Sequence, residues 1–353
     1  MNGSEISAMQ TTARALVADE KGILAADESL PTIGRRFAAV GIESTEDNRR
    51  AYREMLFTTP HIEEFISGVI LFYETIRQRS AGGIPLINIL RDKGIIPGIK
   101  VDRGTTPLAL FPGETITEGI DGLRERLRAY RELGTRFTKW RAVLKIGPEA
   151  PTLTGIAANA HFLACFAALS QEAGLVPIVE PEVLREGDHS MSRCEEVTSR
   201  TLRAVFHALG DYRVNLQAVI LKPNMVTPGS DCPEQTSPER IAEATLRCLR
   251  GAVPSQVPGI VFLSGGQAEV EATERLNAIN SLSRGPWPLS FSFGRALQES
   301  ALRRWNGLES NFFEAQSVFC HRARCNSLAR SGKYGSSAEQ AAIDSEGALK
   351  IAS

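Results

Sequence analysis

The strongest constraint on this chain is a recurrence. Eight short apolar runs, each rich in Val, Ile, Leu or Phe, occupy residues 22–27, 68–72, 98–102, 142–146, 175–180, 218–222, 259–264 and 288–293. None shows the strict alternation of a strand with one wet face, so each is expected to be buried on both faces, as in a parallel sheet. Helical patterns lie between them. Over 121–134, Leu123, Leu127, Tyr130 and Leu133 fall on one face, and Gly134 ends the pattern. Ser237-Pro238-Glu239 supplies an N-cap, a first-turn proline and an acidic residue ahead of a helix that stops at Gly251. Residues 159–174 read the same way. Strands and helices alternating about every 38 residues predict an α/β chain folded as one (β/α)₈ barrel, a TIM barrel.

A length of 353 residues alone would allow two domains, but no internal repeat and no Pro/Ser-rich linker divides the chain. The barrel is expected to span 1–332. The small polar stretch beyond Gly332, with Tyr334 and then Gly335-Ser336-Ser337, reads as a flexible tail over 333–353. Forty basic against 41 acidic residues, a net charge of -1, argues against a nucleic-acid protein, which would be clearly basic. The six cysteines form no C-x-x-C pair, which fits a reducing compartment. There is no basic segment followed by an apolar one at the start, and the apolar runs fall short of the ~20 residues of a membrane helix. A soluble cytoplasmic protein is expected.

In a barrel of this type the working groups sit at the C-terminal strand ends, which converge on one mouth. Strand one ends Asp27-Glu28-Ser29, and strand three carries Lys100 and Asp102. Lys139 and Arg141 flank the start of strand four, and strand five ends Glu180-Pro181-Glu182. Strand six holds Lys222 in an apolar run, strand seven ends Ser264-Gly265-Gly266, and strand eight ends Gly294-Arg295. The glycines can bring backbone N–H groups close to phosphate oxygens, and Arg295 offers a planar fork to the same oxygens. A Gly-Gly after a strand also serves a plain turn, so phosphate binding and a turn both stay open here.

A lysine among apolar residues is costly to bury while charged, and burial beside a second cation such as Lys139 would favour the free, nucleophilic amine. A strand-end lysine reaching solvent is the plainer alternative. Imine formation also expels water and needs a proton donor and acceptor, a task for Glu180 and Glu182 unless they are ordinary surface carboxylates. The five histidines include no H-x-H or H-x-x-x-H pair, so no catalytic metal is expected. No phosphate-loop or dinucleotide fingerprint is present either.

Eight collinear segments carry a resemblance from about Met9 to Tyr334. They are KGILAADES from Lys21 to Ser29, GVILF at Gly68, GIKVD at Gly98, KWRAVLKIGP at Lys139, GLVPIVEPE at Gly174, LKPNMVTPG at Leu221, FLSGGQ at Phe262 and SFSFGRALQ at Ser290. Together they resemble class I, Schiff-base-forming fructose-1,6-bisphosphate aldolases.

The resemblance implies a (β/α)₈ barrel that reversibly cleaves fructose 1,6-bisphosphate to dihydroxyacetone phosphate and glyceraldehyde 3-phosphate, with no metal or other cofactor. It implies Lys222 as the imine-forming lysine, Glu180 as the acid/base for carbinolamine dehydration, and Lys139 as the cation that supports that step. Asp27 would accept the C4 hydroxyl proton, and Glu182 would orient the two lysines. Ser264, Gly265, Gly294 and Arg295 would hold the C1 phosphate. Ser29, Thr32 and Lys100, assisted by Arg36, would hold the C6 phosphate, and Arg141 joins the substrate-binding set. The expected partner is the sugar bisphosphate, with neither nucleic acid nor membrane, and the expected assembly is a homotetramer.

Three departures from the family pattern stand out. The loop after Asp-Glu-Ser reads Leu30-Pro31-Thr32, stiffened by its proline. The usual Val-Asp-Lys-Gly reads Val101-Asp102-Arg103-Gly104. Many members end in a tyrosine that assists proton exchange at C3, whereas this sequence ends Lys350-Ile351-Ala352-Ser353, which predicts slower exchange. Alternatives are the same chemistry on sedoheptulose 1,7-bisphosphate or fructose 1-phosphate, and a non-catalytic scaffold, which the full set of Lys222, Lys139, Glu180 and Asp27 argues against.

Overall fold

The computed structural model describes residues 3–234 and 236–344. Eight parallel strands close into a barrel in chain order: β1 (Gly22–Ala26), β2 (Ile66–Leu71), β3 (Ile96–Lys100), β4 (Phe137–Leu144), β5 (Val176–Val183), β6 (Ile220–Leu221), β7 (Gly259–Phe262) and β8 (Leu289–Phe293), with β8 pairing back onto β1. The expected (β/α)₈ barrel is the observed fold.

Two apolar layers hold it. The barrel interior is filled by Ile23, Ala25, Ile70, Phe137, Val176, Ile178, Ile220 and Val261, and the helix Gly3–Leu16 closes the end away from the strand tips with Met9, Ala13 and Leu16. The second layer lies between strands and helices, where Trp140 stacks on Phe166 at 5.6 Å. Fully burying side chains of this size contributes about 1.5–3 kcal/mol each. Space inside is tight: a Cβ on Gly98 would come 2.3 Å from the Phe137 ring, so only glycine fits there.

One boundary differs usefully from expectation. β4 starts at Phe137, not at 142, so Lys139 and Arg141 lie within the strand instead of flanking its start. Inward Phe137, Lys139 and Arg141 alternate with outward Thr138, Trp140 and Ala142, and the inward charges break the apolar run that marked the other strands. The helix Leu153–Glu172 also starts earlier than 159, where the Thr152 side chain accepts a hydrogen bond from Gly155 N. This helix is apolar enough by composition to cross a membrane, yet half of its most apolar stretch is buried against the barrel. The helix after Ser237 runs Pro238–Ala252, with the Ser237 side chain accepting from Arg240 N.

The expected loose tail contains a helix, Ser336–Asp344, at its start. Glu339 ties it to the long helix Phe312–Arg330 through an ion pair with Arg322, and the Tyr334 hydroxyl donates to Glu339 at 2.6 Å. The rest of that tail, 345–353, including the terminal residues read against the family's tyrosine, lies outside the described residues.

Candidate active site

The strand tips open into a single mouth of about 1750 Å³. Twelve basic and nine acidic side chains line it, an excess of positive charge that the whole-chain value of -1 conceals. Such a mouth attracts anions.

At its floor four side chains form an alternating chain of charge. Lys139 Nζ lies 3.0 Å from Asp27 Oδ2 and 2.6 Å from Glu180 Oε2. Glu180 Oε1 in turn lies 3.0 Å from Lys222 Nζ. All four are buried. The strand parity that buries Val176 and Ile178 below brings Glu180 inward above them, and full pairing of β4 with β5 sets Arg141 opposite Glu180. Lys222 follows the short β6 and is anchored by its backbone N–H to Val179 O at 2.8 Å.

Burial alone would raise the Asp27 carboxyl, but the charges of Lys139, Lys222 and Lys100 outweigh it and hold the group well below the usual carboxylate range. Glu180 follows the same logic: burial opposes its charge, Lys139, Lys222 and Arg141 favour it, and its pKa falls. Burial also works against the Lys139 ammonium, which Asp27, Glu180 and Asp102 more than restore, so its pKa rises. A buried array of this kind is stable only because each charge has an opposite partner.

Glu182 was expected to orient the lysines; its carboxylate accepts from Arg141 Nε, and among the described residues Glu180 alone pairs with both amines. Lys100 pairs with Asp102 and also donates to Asp102 O at 3.0 Å. Asp102 further accepts from Gly104 N at 3.1 Å and Arg141 N at 3.2 Å, so it braces β3 against β4 at the mouth.

The anion-suited residues sit around the rim. Gly265 and Gly266 adopt φ of +52° and +82°, a left-handed conformation that favours glycine, and Arg295 Nη2 donates to Gly266 O at 2.6 Å. Ser264 is buried below them, and Gly294 opens the helix Arg295–Trp305. Leu30-Pro31-Thr32 is not a loop: it is the first turn of the helix Leu30–Ala38, where a proline lacks no needed donor. Ser29 and Thr32 place their hydroxyls 3.0 Å apart at that N-terminus. Arg36 pairs with Glu28, whose other oxygen is held by Arg53. Sequence reasoning missed this Arg36–Glu28–Arg53 clamp, because Arg53 comes from the separate helix Glu46–Thr58 and carries no local signal.

Residues 8–350 match the family model described as fructose-bisphosphate aldolase class-I. The chain is 54% identical over 330 residues to a probable fructose-bisphosphate aldolase class 1 of Xanthomonas campestris pv. campestris, covering 93% of this chain and 99% of that one. It is 55% identical over 315 residues to the cytosolic fructose-bisphosphate aldolase 6 of Arabidopsis thaliana, covering 89% and 88%. A solved structure of the Plasmodium falciparum fructose-bisphosphate aldolase, in complex with TRAP and a small molecule inhibitor, superposes with a TM-score of 0.94 at 46% identity, covering 95% of this chain and 97% of that one. This chain therefore belongs to the class I fructose-bisphosphate aldolase family.

Proposed function

We propose that the protein cleaves fructose 1,6-bisphosphate reversibly through an imine on Lys222. The observation that carries this reading is Glu180 lying between two buried amines, 3.0 Å from Lys222 and 2.6 Å from Lys139. Glu180 takes the Lys222 proton, and the free amine adds to the C2 carbonyl. Loss of the Lys222 charge removes one of the cations that lower Glu180, so its carboxyl becomes a better proton donor. It then protonates the C2 hydroxyl, which leaves as water, while Lys139 keeps the site's charge balanced.

Asp27, held ionised beside Lys139, accepts the C4 hydroxyl proton. The C3–C4 bond breaks, glyceraldehyde 3-phosphate leaves, and the bonding electrons pass into the iminium to give an enamine. Protonation at C3 and hydrolysis release dihydroxyacetone phosphate and restore the lysine. No metal takes part, in keeping with class I chemistry. Ser264, Gly265, Gly294 and Arg295 take the C1 phosphate. Ser29, Thr32, Lys100 and Arg36 take the C6 phosphate, with Arg141 and Glu182 between the two ends.

The same reading makes 1–332 the catalytic barrel with 333–353 appended, and the assembly a homotetramer of central carbon metabolism. A cytoplasmic location is supported by relatives named as cytosolic. Borohydride reduction with dihydroxyacetone phosphate, followed by peptide mapping, tests the chemistry. A stable adduct on Lys222 is expected. An unlabelled Lys222, together with activity that disappears on chelation, would overturn the reading.

A further inference from the structure

Away from the mouth, the tail helix and the long outer helix bring three ligand-bearing side chains together. His321, Cys325 and Glu339 place one ligand atom each within 4.8 Å of the others. None of the three lines the mouth. We propose that they form a binding site for a borderline-soft divalent cation of the zinc class, which clips the helix Ser336–Asp344 onto the barrel.

The distances favour it. A tetrahedral zinc with its usual bonds to sulfur and nitrogen separates those two atoms by about 3.5 Å. Cys325 Sγ and His321 Nε2 are 3.4 Å apart. Their i, i+4 spacing puts both on one face of the helix Phe312–Arg330, and the acidic ligand comes from the next helix. Outer partners are already in place. Tyr334 donates to one Glu339 oxygen at 2.6 Å, and Arg322 holds the other while also donating to Thr273 Oγ1 at 2.9 Å. Each carboxylate oxygen keeps a second lone pair for an ion. Cys325 is buried, whereas His321 and Glu339 are half-buried, which leaves a path from solvent. A thiolate and a carboxylate supply two negative charges to a divalent ion, Arg322 keeps one positive charge beside Glu339, and a water would complete four-coordination. Sequence inspection for histidine pairs passed over this site, because it pairs one histidine with a thiol and a distant glutamate.

Cobalt(II) titration of the full chain in a C165S background tests the proposal. That background removes the half-buried Cys165, which lies 3.6 Å from His161 and could give a similar signal. One equivalent of cobalt should bind with a near-ultraviolet thiolate charge-transfer band. The band should vanish in C325S, and H321Q should weaken binding at least tenfold. Y334F, which removes only an outer partner, should weaken it about tenfold. Zinc should displace the cobalt and raise the melting temperature of the C165S protein but not of C325S. No saturable band, or a band that survives in C325S, would overturn the proposal. Imine trapping on Lys222 is unaffected by either result, so the two readings fail independently.

Discussion

The floor and the rim of the mouth are built on different terms. At the floor, Asp27, Lys139, Glu180 and Lys222 are buried, and their charges pair with one another. At the rim, the cationic groups pair with other groups of the protein: Arg295 donates to the Gly266 carbonyl, Lys100 pairs with Asp102, and Arg36 pairs with Glu28. On the proposed function, the floor would be set in advance for proton transfer, where misplacement costs rate. On the same proposed function, the rim's donors would turn from these partners to the phosphates of an anion that must enter and leave.

The sharpest way to break this contrast is Lys222→Met. Removing the nucleophile should lower kcat by at least about 10⁴-fold and abolish borohydride trapping, while phosphate-dependent binding survives. Substrate affinity lost in parallel with kcat would show that floor and rim are not separate. Arg295→Ala should act through the rim. Losing charge-assisted hydrogen bonds should lower kcat/KM by about 10- to 100-fold, mostly through KM. A fall in kcat at unchanged KM would place Arg295 with the floor instead.

The smallest expected effect is on stability against pH. Asp27 and Glu180 have folded pKa values below their unfolded ones. Their contribution is therefore complete above the unfolded value of about 4 and is lost as pH falls through the folded values. These groups should leave the melting temperature level from pH 7 to 5 and steepen its fall below about pH 4. Asp27→Asn should make that acid limb shallower, by about one proton taken up on unfolding. An unchanged limb would mean that the floor's charges are not held as described.

Much of this is legible in the chain. The parallel barrel follows from apolar runs that lack alternation, and each strand tip points to the mouth. The reading weakens wherever inward charge interrupts the pattern. The apolar run alone starts β4 at 142 instead of 137, because Lys139 and Arg141 occupy its inward face. Leu30-Pro31-Thr32 reads as a loop because a proline ends most helices, although it opens this one. Contacts between distant segments leave no local trace at all. Glu28 with Arg53, Glu182 with Arg141, and Glu339 with Arg322 are pairings that only the closed fold creates.

The pairing of β4 with β5 along their full length carries one more implication. Along β4, odd positions face the barrel interior and its mouth, and even positions such as Trp140 face the outer packing layer. A single-residue insertion or deletion there would turn Lys139 toward the helices and Trp140 toward the mouth in one step. Drift at these strands can therefore proceed by replacement and hardly at all by change of length. Lineages of this enzyme should record their insertions in the loops and keep the spacing from Phe137 to Arg141 fixed.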